Sequence, residues 1–180
     1  MPSTHVALLR GINLAGKNRL PMQDLIEMFE NGGCGGAAAY IQSGNIIFTA
    51  APAVASRIAA LITAQIKKRF GFDIPVVLRT ADELKEVISN NPFLKAGVAE
   101  KELHVMFLAD APDAGHIRTL DPDRSPPDTY QVRGKEIYLR LPNGMGRSKL
   151  SNQYFDSKLA TVSTARNWRT VTALIELMKA

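Results

Sequence analysis

The hydrophobic pattern of this 180-residue chain alternates between strand-like and helix-like runs in a fixed order, and that order limits the folds open to it. Residues 4–10 read as an apolar strand. A helix begins near Pro21, a residue suited to a first turn, and sets Met22, Leu25, Ile26 and Phe29 on one face. The run Asn31-Gly32-Gly33-Cys34-Gly35-Gly36 ends it as a C-cap and flexible connection. Residues 39–42 and 45–49 form a hairpin through Ser43-Gly44. A long helix over 52–70 carries Val54, Ile58, Leu61, Ile62 and Ile66 as its buried stripe, and residues 74–79 make a fourth strand. This is the βαββαβ order of the ferredoxin-like split βαβ unit.

The pattern then restarts. A connecting helix over 81–90 stops at Pro92. Residues 103–109 are a strand and 112–120 a short helix, followed by the proline-rich loop 121–127. Residues 129–132 and 136–141 pair across Arg133-Gly134-Lys135. A helix over 149–159 and a short strand over 162–165 follow, and Asn167 caps a last helix reaching Met178. The expected class is α+β: a tandem pair of ferredoxin-like halves with antiparallel sheets, residues 1–80 and 101–180, joined by a helix and loop over 81–100, with an extra C-terminal helix. The two halves share no convincing sequence identity.

With 46% hydrophobic and 22% charged residues the chain reads as globular. No apolar stretch approaches the ~20 residues of a membrane span, and the first residues lack the pattern of a secretory signal. Cys34 is the sole cysteine, which rules out an internal disulfide. A cytoplasmic protein without a membrane partner is the expectation. His5, His104 and His116 have no spacing suited to one metal, and neither a metal nor a cofactor is expected. Cys34 has no basic sequence neighbour to activate it as a nucleophile.

Charge is unevenly placed. Residues 1–80 carry eight Lys/Arg against four Asp/Glu, residues 81–130 five against ten, and residues 131–180 nine against three. A phosphate-rich partner suits the two basic segments. The acidic stretch between them predicts that nucleic-acid binding is weak and salt-sensitive.

The run Gly11-Ile12-Asn13-Leu14-Ala15-Gly16-Lys17-Asn18 meets the first part of the phosphate-binding pattern G-x-x-x-x-G-K. Asn18 replaces the metal-ligating hydroxyl, and Asn18-Arg19-Leu20 delay the following helix, so Mg²⁺-dependent ATP or GTP hydrolysis is not expected. The loop still offers Arg10, Asn13 and Lys17 to an anion. In a split βαβ unit it shares a sheet end with Ser43 and Asn45, about 10 Å away across one intervening strand. Base stacking as in RNA-recognition folds is not expected, because Phe48 is the one aromatic on strands one and three. Both strands are too apolar to face solvent, so the open sheet face is expected to lie under the other half.

A second basic cluster is Arg147-Ser148-Lys149, read as opening the helix over 149–159 with Ser148 as its cap. Positive side chains there oppose the helix dipole at a cost of ~0.3–1 kcal/mol each unless an anion is present. The repeat geometry predicts that they approach Arg166 and Asn167 and form an oxyanion site. Trp168 recurs with Val171, Leu174, Ile175 and Met178 at helical spacing and reads as core.

Five groups of residues resemble one bacterial family, the domain of unknown function 1697. They are Leu8-Leu9-Arg10-Gly11-Ile12-Asn13 with Gly16-Lys17-Asn18, Tyr40-Ile41-Gln42-Ser43-Gly44-Asn45, Asn91-Pro92-Phe93, Gly146-Arg147-Ser148-Lys149-Leu150 and Thr164-Ala165-Arg166-Asn167-Trp168. Ala15 stands where the family pattern has a glycine. The resemblance implies a two-part α+β fold with ferredoxin-like halves, and no activity or catalytic residue. The expected function is an anion-binding module for a small phosphorylated or nucleotide-like ligand or a nucleic-acid backbone. The alternatives are an enzyme on a phosphorylated substrate, with Lys17, Arg147 and Arg166 stabilising charge, and a protein-interaction domain.

Overall fold

A computed structural model describes residues 1–179. The chain divides into two units, Met1–Leu84 together with the segment from Leu174 onward, and Lys85–Ala173.

The first unit runs β1 (Ser3–Leu9), α1 (Met22–Asn31), β2 (Gly35–Tyr40), β3 (Asn45–Ala50), α2 (Pro52–Phe70) and β4 (Val76–Thr80). Its sheet has the order β2-β3-β1-β4, and every neighbouring pair is antiparallel. Leu25, Met28 and Phe29 of α1 and Ile58, Ile62 and Ile66 of α2 pack on Ala7, Leu9, Ile46 and Phe48. Each fully buried Leu, Ile or Phe contributes about 1.5–3 kcal/mol. Gly71, left-handed at φ 77°, stops α2 and donates its amide to Lys67. Val6 and Leu8 point to the other face of the sheet and are fully buried, as is Arg79 of β4 at 2% exposure. Both faces of the central strands are therefore covered, which explains why β1 is a continuous apolar run rather than an alternating one.

Strand β2 departs from the expected 39–42. It starts inside the glycine run, with an irregular register between Gly35 and Ala38, and stops before Ile41. Glycine and alanine carry little strand propensity, and pairing with β3 overrides it here.

The second unit takes in most of α3 (Ala81–Ser89), then α4 (Pro92–Lys95), β5 (Leu103–Leu108), α5 (Ala114–Ile117), β6 (Thr129–Arg133), β7 (Glu136–Arg140), α6 (Asn152–Leu159), β8 (Ser163–Asn167) and most of α7 (Trp168–Met178). Its sheet order is β6-β7-β5-β8, again antiparallel throughout. Met106, Leu108, Ile137 and Leu139 pack with Phe155 and Leu159 on one face. On the other face Tyr138 donates its hydroxyl to the Val87 carbonyl at 2.9 Å.

Three differences from the sequence reading exceed a residue or two or change how an element ends. Helix α6 begins at Asn152, capped by Ser151, whose hydroxyl accepts from the Tyr154 amide at 3.2 Å. Ser148 instead accepts from the Leu150 amide in the preceding link. Helix α5 keeps four residues of the expected nine, starting after its Asp113 cap. Strand β8 continues to Asn167 and passes into α7 without a loop.

Candidate functional site

The Gly11–Asn18 segment folds as a tight hairpin rather than a phosphate cradle. Leu14 and Lys17 exchange backbone hydrogen bonds of 3.2 and 2.8 Å around Ala15 and Gly16, both left-handed at φ 47° and 80°. The Asn13 amide is also engaged, by Asn18 at 3.1 Å, so these donors do not converge on an anion as in a phosphate loop. Asn13 acts as a brace: its Oδ1 accepts from the Leu20 amide at 2.8 Å, and its Nδ2 donates to the Leu20 and Gln42 carbonyls at 3.0 and 3.1 Å. The Ser43–Asn45 turn thus touches the loop directly, because β3 is the immediate neighbour of β1, and not across ~10 Å. Asn45 is fully buried and donates to the Tyr40 carbonyl and the Ser43 hydroxyl at 3.2 and 3.1 Å. Arg10 is half-buried with its amide on Pro75, and Lys17 is exposed.

The parts of the second predicted cluster have different surroundings. Arg147 ends a short 3-10 turn, Met145–Arg147, and Arg147 and Lys149 are exposed. The Lys149 amide donates to Ser125 and its carbonyl accepts from Arg124, each at 3.0 Å, while Arg124 lies 3.9 Å over the Tyr154 ring. Arg166 pairs in register with Val105, on the sheet face opposite the Met106–Phe155 core that α6 joins. Its Nη1 donates to the Thr164 hydroxyl at 2.7 Å and the Ala165 carbonyl at 2.8 Å. Burial pulls its pKa down to about 10, which leaves it charged at neutral pH.

Asn167 leads to a further site. Its Oδ1 accepts from the Thr170 amide at 2.8 Å and so caps α7. In register it lies opposite His104, one residue from the Val105–Arg166 pair. The first unit builds the same corner: Thr80 lies opposite His5 and Arg79 opposite Val6, and Thr80 with Glu83 caps α3 reciprocally at 2.8 and 3.1 Å.

At the second corner a cavity of about 450 Å³ is lined by Glu100 and Lys101 ahead of β5, His104 on β5, and Asn167, Trp168, Arg169 and Thr172 of the α7 start. Lys101 and Arg169 are exposed cations, while Trp168 is buried. Burial lowers the pKa of His104; the Glu102 backbone carbonyl opposes this without reaching hydrogen-bond geometry at Nδ1. His104 Nδ1 is buried without a partner, whereas His5 Nδ1 lies 2.9 Å from the Ser3 carbonyl. The arrangement offers two exposed cations against one carboxylate, Glu100, an imidazole that burial favours in its neutral form, and the positive end of an eleven-residue helix. Sequence reasoning reached Asn167 and missed Lys101, His104 and Arg169, whose partners are set by strand pairing.

Cys34 has a basic neighbour in space, Arg57, but burial outweighs that charge and raises the thiol pKa. Among the described residues no group of three His, Cys, Asp or Glu is placed to hold a metal, and no helix is long and apolar enough to cross a membrane.

No curated protein matches the chain in sequence. The conserved bacterial protein SP0830 from Streptococcus pneumoniae has a similar structure, with a TM-score of 0.74 and 18% identity over 100% of both chains. Identity this low speaks for the shared fold alone. Residues 2–138 match the family described as Protein of unknown function (DUF1697), and the chain belongs to that family.

Proposed function

We propose that the chain is a cytoplasmic anion-binding module for a small phosphorylated or nucleotide-like ligand, seated in the cavity beside His104. The observation that carries this reading is the convergence of Lys101, Arg169 and His104 on one cavity at the start of α7. Two charge-assisted hydrogen bonds at about 1.5–3 kcal/mol each give a gross gain of several kcal/mol. Association costs then leave millimolar to micromolar affinity for a simple phosphate.

We also read the chain as a tandem repeat of ferredoxin-like halves, residues 1–80 and 101–180 with 81–100 between. The matching strand orders and the matching His–Val and Arg positions of the two corners support that reading. The compact units have different limits because α3 and α7 each begin in one unit and end in the other.

Calorimetric titration of the full chain with inorganic phosphate and with a nucleoside monophosphate tests the proposal. Arg169→Ala or Lys101→Ala should weaken binding at least tenfold, the loss of about one charge-assisted bond. Unchanged binding in both variants would place the ligand elsewhere, and no heat from the wild type at millimolar ligand would end the proposal.

A further inference from the structure

One end of the first unit gathers features that the cavity beside His104 does not use. The Arg10 amide bonds the Pro75 carbonyl, which joins the Gly11–Asn18 loop to the segment entering β4. Arg69, in the last turn of α2, reaches Asp24 in the first turn of α1 at 3.8 Å. Arg10, Lys17, Arg19, Lys67, Lys68 and Arg69 therefore crowd one end of this sheet and its helices. Two carboxylates accompany these six cations, and both are paired, Asp24 with Arg69 and Asp73 with Lys67 at 3.0 Å.

Two large aliphatic side chains stand out in this basic setting. Leu14 is 56% exposed and Ile41 52% exposed. The residues beside them, Asn13 and Gln42, are joined by a 3.1 Å hydrogen bond, so the two tips are neighbours. Both tips sit at left-handed backbone: Ala15 follows Leu14 at φ 47°, and Ile41 itself has φ 50°, a costly conformation for a β-branched residue.

We propose that this end of the first unit is a docking face for duplex nucleic acid, with the Leu14–Lys17 hairpin entering a groove and Lys17 and Arg19 on the flanking phosphates. Charge selects the occupant: an excess of four cations matches a phosphate backbone and repels a second copy of the same end. A duplex groove admits a narrow two-stranded tip, and aliphatic side chains act as wedges between base steps at basic contacts of this type. Leu14 and Ile41 lack the aromatic faces on which single-strand binders stack bases.

Fluorescence anisotropy of a labelled mixed-sequence DNA duplex with the full chain tests this. Neutralising about four phosphates predicts an affinity loss of about 100-fold between about 50 and 200 mM salt. Lys17→Glu with Arg19→Glu should lower the slope of log K against log salt by about two. Leu14→Ser should weaken binding several-fold at every salt with the slope unchanged, while Lys158→Ala, at an exposed position of α6, leaves duplex binding intact. All these positions are exposed, and unchanged thermal midpoints establish that the variants fold. No duplex binding at about 50 mM salt, an unaltered slope in the charge-reversed variant, or preference for anionic phosphatidylserine vesicles over the duplex would each overturn the proposal.

Discussion

Removing the Asn13 side chain tests whether the Gly11–Asn18 loop is held by an internal brace. Asn13→Ala deletes three hydrogen bonds, one from the Leu20 amide and two to the Leu20 and Gln42 carbonyls. At about 0.5–1.5 kcal/mol each these contribute about 1.5–4.5 kcal/mol. Asn13 also sits at φ 53°, where asparagine is tolerated and alanine costs about 1 kcal/mol. Water reaches this half-buried edge and replaces part of the lost bonding, so we expect a loss of about 3 kcal/mol. For a chain of this length that lowers the thermal midpoint by about 6–12 °C. Urea unfolding and thermal unfolding, each with and without phosphate, measure it. A loss below about 1 kcal/mol, or one that phosphate restores, would show that Asn13 serves a ligand rather than the loop.

Gly44→Ala should cost about 2–4 kcal/mol in urea unfolding, because a Cβ there falls 2.9 Å from Leu9 Cβ at a residue held at φ 84°. Burial keeps the folded-state pKa of His104 below 6.5, so the unfolded chain binds more protons in the window under that value. Its contribution to stability is fully present above about pH 6.5 and is lost as pH falls toward the folded-state pKa; His104→Gln should flatten that part of the stability curve. Arg169→Ala should raise the thermal midpoint slightly, by removing a cation from the first turn of α7 at ~0.3–1 kcal/mol, even as it weakens phosphate binding.

Period alone made much of the architecture legible. The apolar stripes of α1 and α2 mark the helices with nearly the observed limits. Where local chemistry was ambiguous, tertiary pairing decided. Gly35 and Gly36 read as a helix stop and entered β2 instead, and Ser148 read as the cap of a helix that Ser151 caps. The candidate site was less legible for the same reason. Lys101 and His104 lie far from Arg169 in sequence, and the register that sets His104 opposite Asn167 joins them. Arg166 carried the right charge beside the site but alternates to the other face of β8.

The most direct test of the account follows the His104 imidazole by NMR while inorganic phosphate is added to the full chain. Anion binding among Lys101, Arg169 and His104 predicts saturable shifts of the His104 ring signals and a rise in its pKa toward or above 6.5, with His5 unmoved. A His104 spectrum and pKa that stay constant through millimolar phosphate would contradict it.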